Sequence, residues 1–322
     1  MSRKRVGQLG FEDAVVDARV GDRVDHLSRI EGLLDWGPFA ALLEGLYPSR
    51  RGEPAYPPLI MFKVLLLQRW YSLSDPGMEE ALADRISFRR FAGLSLSDPV
   101  PDHTTIHRFR DRLCEGERLQ ALMAELARQL DACQVVLRQG TLIDASLVSS
   151  AARRPRVKEG KTSRVDPDAR FGANNERRRY EFGYKLHVAV DQGSALIRGL
   201  CLSPANRQEV DFAATLVQGD EQAVYADRGY DAQHLHDHLA ALGITDGVMR
   251  RARKGKPLGQ EEIKRNHRLV VHRRPVEKIF GTLKRCYRMN RLPHFSLARN
   301  QVTISLACFA YNLRRLATLS TA

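Results

Sequence analysis

Cysteine is scarce and unpaired in this 322-residue chain. Cys114, Cys133, Cys201, Cys286 and Cys308 are scattered, odd in number and never closely spaced. That argues against a disulfide framework or a thiolate zinc site and for a reducing cytosol. Long apolar runs are also missing. The most apolar stretch, Leu59 to Leu67, is interrupted by Lys63 and is too short to span a bilayer. The opening residues Met-Ser-Arg-Lys-Arg-Val-Gly-Gln lack the apolar core of a secretory signal. The expected location is the cytoplasm, with no membrane partner. No glycine-rich phosphate loop occurs, so nothing points to nucleoside triphosphate use. Internal repeats and low-complexity tracts are absent too.

Acidic residues are short in one segment, and there positive charge dominates. From Arg250 to Arg291 fifteen Lys and Arg stand against only Glu261, Glu262 and Glu277. A second basic stretch runs from Arg153 to Lys185 and contains Arg177, Arg178 and Arg179 in succession. The net charge of +13 concentrates there, which suits a polyanion better than a generally solvated face. The 43% hydrophobic content is enough for a real core.

Residues 1–134 read as an all-helical region. Pro57 and Pro58 open an apolar helix running to Trp70, and Met78 to Ile86 forms a shorter one. Thr104 or Thr105 is placed to cap a helix that starts near His103 and continues into Leu119 to Leu130. From about 135 to 322 the texture is mixed α/β. The strand-like run Gln134 to Val148 carries Asp144 towards its end, and a basic insertion at about 151–181 reads as a long loop. Two strands follow, joined at Asp191-Gln192-Gly193. After a short helix, the run Gln222 to Ala226 ends on Asp227; another helix, a strand, a helix opened by Pro275 and a last amphipathic helix complete the order. The fold class is α/β, a mixed sheet with flanking helices.

Asp144 and Asp227 each follow an apolar strand-like run, so both are expected at strand ends. Neighbouring strands lie about 4.8 Å apart, close enough for two such carboxylates to share metal ions. Two ions about 3.5–4 Å apart bridge a phosphate, whereas bare clustered carboxylates repel one another. Glu277 sits in the basic segment on a helix whose apolar stripe is Val276, Ile279, Phe280, Leu283 and Tyr287. Glu277, Lys284 and Arg288 align on a neighbouring stripe, joined by Arg273 if the helix extends back past Pro275.

Arg273-x₃-Glu277-x₆-Lys284 resembles the arginine–glutamate–lysine motif of bacterial DDE transposases of the insertion sequence 4 and 5 groups. Asp102-His-Thr-Thr-Ile-His-Arg-Phe-Arg, Asp227-Arg-Gly-Tyr-Asp, and Phe182-Gly-Tyr-Lys-Leu-His with Asp191 resemble further motifs of those proteins. The likeness spans about residues 50–316 and is closest to the insertion sequence 5 family. It implies an RNase H-like catalytic domain preceded by a helical DNA-binding and dimerising region. It also implies Asp144, Asp227 and Glu277 as catalytic metal ligands, with two Mg²⁺ ions expected and Mn²⁺ able to substitute. Arg273 and Lys284 become phosphate contacts, and double-stranded DNA of the element ends and target becomes the partner, bound as a homodimer. The fuller motif has a tyrosine three residues before the arginine, where this chain has Val270. That departure bears on any hairpin chemistry that depends on the tyrosine and not on strand cleavage or transfer.

Further DNA contacts are expected from Arg288, Arg177 and Arg178, and from His103, His107 and Arg108 on the helix proposed to read bases. His187 reads either as a supporting or DNA-contacting group or as a packed core histidine. Asn206 and Asp211 are candidate supporting residues. His234-Leu-His-Asp-His238 reads as a polar helix face. Two other functions stay open at this point, a non-mobile nuclease of the same fold and a catalytically silent DNA-binding regulator.

Overall fold

The computed structural model describes residues 4–20, 26–47, 54–156, 162–174 and 179–320. It divides into two compact units, Met1–Ala132 with Ser305–Ala322, and Cys133–Ile304. The expectation that the second region runs unbroken to 322 is corrected here, because the chain from Ser305 onward groups with the N-terminal helices.

In the first unit the helices are α1 (Phe11–Val20), α2 (His26–Glu31), α3 (Gly37–Leu43), α4 (Pro58–Trp70), α5 (Asp75–Asp84), α6 (Ile86–Ala92), α7 (His103–Arg112) and α8 (Arg118–Ala132). Helix α4 is apolar on nearly every side and is buried almost throughout, the mark of a central helix. Phe62 packs its ring on Phe39 and Phe309, with centroids 6.4 and 5.3 Å away. Trp70 donates its indole N–H to the Ala310 carbonyl at 2.7 Å, which satisfies the one polar atom of a large buried ring. The cap of α7 is Asp102, whose Oδ1 accepts the Thr105 N–H at 2.6 Å, and not a threonine. The helix stops at Arg112 and does not run on into α8.

The second unit is built on a seven-stranded sheet of β1 (Thr141–Ser150), β2 (Arg170–Asn174), β3 (Arg179–Asp191), β4 (Ile197–Pro204), β5 (Ala223–Ala226), β6 (Thr245–Val248) and β7 (Arg291–Leu292). Strands β1, β3 and β4 are antiparallel neighbours, while β5 joins the other side of β1 in parallel and β6 follows it in parallel. A three-stranded meander with two parallel strands beyond its first strand is the RNase H-like order. Its helices are α9 (Ala213–Leu216), α10 (Gln233–Ala241) and α11 (Gln260–Cys286); α12 (Leu297–Leu319) begins in this unit and ends in the first. Ile143, Ala189, Val224 and Ala226 line one sheet face and pack on Val210, Ala213, Leu216, Leu235 and Leu239. Helix α11 lies against the other face.

The expected loop at 151–181 is partly strand, since β2 and the start of β3 pair within it. There Gly183 lies so close to β1 that an added Cβ would sit 2.2 Å from the Val148 carbonyl oxygen and 2.6 Å from the Ser150 nitrogen. Both are backbone atoms of a paired strand and cannot step aside. Gly183→Ala is therefore expected to cost about 3 kcal/mol or more, read as a lower urea midpoint. An unchanged midpoint would contradict this packing.

Candidate active site

Strand β1 pairs with β5 at Thr141↔Val224 and Leu142↔Tyr225. Carried two residues further, that register sets Asp144 opposite Asp227, where β5 has ended. Asp144 is not at a strand end, as the sequence suggests, but fourth of ten residues, because β3 goes on pairing with β1 as far as Ser149. Asp227 does follow its strand. It turns the chain by accepting the Gly229 N–H at 2.7 Å through Oδ1.

Helix α11 covers these carboxylates. Arg273 Nη2 donates to Asp144 Oδ2 at 3.1 Å, Lys284 Nζ donates to Ser146 Oγ at 2.6 Å, and the His272 ring stacks on Tyr225 at 4.5 Å. Arg273 and Lys284 are eleven residues apart, three helical turns, so both face β1. Glu277, one turn after Arg273, lies on the same stripe between two side chains already tied to that strand. Its side chain is exposed.

Below the pair lies Glu209, in the turn after β4. Its carboxylate pairs with Lys185 at 3.1 Å. A Cβ placed on Gly229 would meet Glu209 Oε2 at 2.8 Å and Asp227 Oδ1 at 2.9 Å, so the two oxygens flank the same small gap that glycine keeps open. Burial pushes the Asp144 carboxyl up to about 6, against the opposing pull of Arg273 and the Ala145 N–H; Asp227 and Glu209 add to the upward push. Tyr230 is fully buried and its hydroxyl has no hydrogen-bond partner. Burial, then the charges of Glu209, Asp144 and Asp227, hold its phenol far above the ordinary range.

This donor set fits a hard divalent cation. It offers oxygen donors, with two carboxylates on neighbouring strands; Mg²⁺ is commonly held by one or two carboxylates and keeps several waters. Among the described residues, however, no three His, Cys, Asp or Glu side chains stand close enough to hold one ion between them. The expectation of a ready-made trio of Asp144, Asp227 and Glu277 is corrected to an adjacent pair with Glu277 on the helix above. Arg273 takes one Asp144 oxygen and offsets a charge that would otherwise repel further carboxylates.

Residues 137–313 match the family model described as Transposase DDE domain, and residues 14–112 match one described as Transposase domain (DUF772). The chain is a DDE transposase. The crystal structure of a pre-cleavage Mos1 transpososome aligns over 82% of this chain and 98% of that chain, at 10% identity and a TM-score of 0.19.

The remaining expected site residues of the transposase fall as follows. Arg288 leaves the stripe, because α11 ends at Cys286 and Arg288 turns left-handed at φ 55°. His187 is a packed core histidine. It is fully buried, bonded to Ser203 Oγ at 2.8 Å and laid against Phe212 at 4.5 Å, and its strand partner is Ala145, on the face opposite Asp144. Burial pushes its imidazole down to about 3, so it stays neutral. Asn206 is exposed, and Asp211 points away and pairs with Arg207 at 3.5 Å. The acidic residue that faces the site from this segment is Glu209, which sequence reasoning passed over; the signal was its place just before Val210, whose burial fixes the turn. On α7, His103 meets Glu79 at 2.9 Å and His107 lies 3.4 Å from Asp111, while Arg108 is exposed. Arg177 and Arg178 lie outside the described residues. Among those described, no helix is long and apolar enough to cross a membrane.

A groove of about 750 Å³ opens beside Ala145 and Ser146. Arg154, Lys185, Lys284 and Arg291 line it, against Glu181 and Glu209. This net-positive groove starts one residue from Asp144 and suits a phosphate chain. Lys284→Ala is expected to weaken binding to duplex DNA at every sequence alike and to lower the salt slope of log K by about one. Fluorescence anisotropy at several salt concentrations measures this, and an unchanged slope would remove Lys284 from the phosphate contacts.

Proposed function

We propose that this transposase belongs to the insertion sequence 5 group and acts on the terminal inverted repeats of its own element as a homodimer in the cytoplasm. The reading rests above all on the register that brings Asp144 and Asp227 together under an α11 stripe of Arg273, Glu277 and Lys284. In this reading Asp144, Asp227 and Glu277 hold Mg²⁺. When bound, the metal supplies an activated attacking oxygen and stabilises the departing one. The chain's own groups do the positioning. Lys284, held by Ser146, grips a backbone phosphate, and Arg273 leaves Asp144 for the substrate phosphate, as a guanidinium prefers a bidentate anion. Glu277 would then close on the carboxylate pair.

The test is a duplex bearing one element end, incubated with the protein and Mg²⁺, with products run on a denaturing gel. Breakage at the end leaving a 3′-hydroxyl, followed by joining to a plasmid, is expected. Breakage without joining would make it a nuclease. Binding without breakage would make it a silent regulator.

A further inference from the structure

Helix α11 touches the sheet side of the site at three successive points. Near its start Asn266 is buried and clasps the Arg250 backbone, accepting the N–H and donating to the carbonyl, both at 2.9 Å. Seven residues on, Arg273 reaches Asp144, and eleven further on Lys284 reaches Ser146 and the groove. At about 1.5 Å per residue, the clasp lies roughly 10 Å before Arg273 along the helix axis and Lys284 roughly 17 Å after it, with the carboxylates between.

The clasp holds the root of an exposed turn. Met249 follows β6 and donates its N–H to the Ala226 carbonyl at 3.0 Å, so it stands beside Asp227. Arg250 turns inward to Asp231 and Asp246, at 3.3 and 3.0 Å, and Asp231 also accepts the Arg251 N–H at 2.9 Å. Beyond this fixed root the chain reverses at Lys254-Gly255, where Arg253 and Lys256 exchange backbone bonds of 3.1 and 2.9 Å. Arg251, Arg253, Lys254 and Lys256 are all exposed, and no acidic residue occurs between Asp246 and Glu261. Among the described residues none of these four side chains has an ion-pair partner, whereas Lys264 is matched by Glu261 at 3.0 Å.

We propose that this turn is a second DNA clamp, which holds the backbone of the duplex on the far side of the scissile phosphate from the groove. Four unmatched cations on a rigid root suit phosphate. The roughly 27 Å from Asn266 to Lys284 covers about eight base pairs, enough for phosphates on both sides of a cut. Phosphate contacts position DNA without reading its sequence. That suits the segments whose sequence changes from one event to the next, the flank before cutting and the target afterwards. The recessed groove suits the element end, which stays.

The inference rests on the proposed action at element ends, and the experiment separates the two. Arg253→Gln, Lys254→Gln and Lys256→Gln are combined in one full-length variant; all three positions are exposed, so the melting temperature should not move. Fluorescence anisotropy at several salt concentrations compares an element end truncated at the cut with the same end extended outward or inward by about ten base pairs, one helical turn. Two unrelated sequences serve as the outward extension. The variant is expected to lose about three from the salt slope of log K on the outward-extended duplex, whichever sequence it carries, and nothing on the other two. Joining of precut ends to a plasmid distinguishes the sources. A fall in the variant extends the clamp to target DNA, and unchanged joining confines it to the flank. An unchanged slope on the outward-extended duplex, or an equal loss on the truncated or inward-extended one, would refute the clamp. If the wild type does not prefer element ends to unrelated duplex, the end-binding reading fails and takes this inference with it.

Discussion

Asp227→Asn should abolish strand cleavage, by about 10³-fold or more, while binding to element-end DNA stays within about threefold of the wild type. The size follows from charge. A metal-assisted phosphoryl reaction draws several kcal/mol from its ion, and each 1.36 kcal/mol is about tenfold in rate. The substitution is nearly isosteric, and the asparagine carbonyl can still accept the Gly229 N–H that Asp227 accepts at 2.7 Å, so the turn survives. DNA affinity comes from Lys and Arg on phosphates, and losing one carboxylate does not weaken that attraction. Asp144→Asn should match it in cleavage, but with a different structural effect. There Arg273 loses its charged partner at 3.1 Å, and the buried carboxyl already pushed up to about 6 disappears. Glu277→Gln completes the series: it is exposed, so its loss should leave the fold untouched and still stop cleavage. The measurement pairs a gel-shift assay with a denaturing cleavage gel. Cleavage within tenfold of the wild type by the Asp227 variant would remove that residue from the chemistry.

What the sequence made legible follows from what kind of force holds each element. The apolar stripe of Val276, Ile279, Phe280 and Leu283 is buried as its period demands, because burial is what a hydrophobic period reports. The hairpin at Asp191 is equally plain: its carboxylate accepts the N–H groups of Leu137 and Arg138 at 3.2 and 2.9 Å and the Ser194 hydroxyl at 2.6 Å. The start of α11 was not legible. Pro275 looks like a first-turn proline, yet the helix begins at Gln260 and carries the proline inside. Its upstream half is held by polar bonds that leave no apolar period. Glu262 caps the Gly259 N–H at 2.8 Å, Arg265 donates to the Val248 and Asp246 carbonyls at 2.7 and 2.6 Å, and Asn266 exchanges bonds with the Arg250 backbone at 2.9 Å. That extension matters for the site, since without it Arg273 would not reach Asp144. Glu209 escaped for a related reason. It lies far from Asp144 and Asp227 in sequence, and only the turn after β4 and the gap at Gly229 bring it beside them.

Asp75→Ala is expected to be the most damaging single change in the helical unit, costing about 3 kcal/mol or more, because breaking a buried pair strands its partner's charge. Arg110 is 4% exposed, and its guanidinium bonds Asp75 and, at 2.8 Å, Gln68 Oε1. Arg69 is partly buried, with desolvation first and then Arg110 pushing its guanidinium down to about 10, and Asp75 pulling it back. One carboxylate therefore balances two guanidinium groups, and its removal leaves them facing each other. At about 2–4 °C per kcal/mol for a unit of this size, the melting temperature should fall by roughly 10 °C. The pH dependence identifies the cause. Burial alone would raise the Asp75 carboxyl, but the hydrogen bonds and charge of Arg110, with Gln68, outweigh it and hold the native value below 3.8. A depressed carboxylate contributes stability that is fully present above the unfolded value and is lost as pH falls through the native one. The gap between wild type and variant should therefore stay constant from pH 5 to pH 7 and shrink below about pH 4. Thermal melts across that range measure it. A gap that persists unchanged in acid would mean that Asp75 stabilises the unit by packing and not by charge.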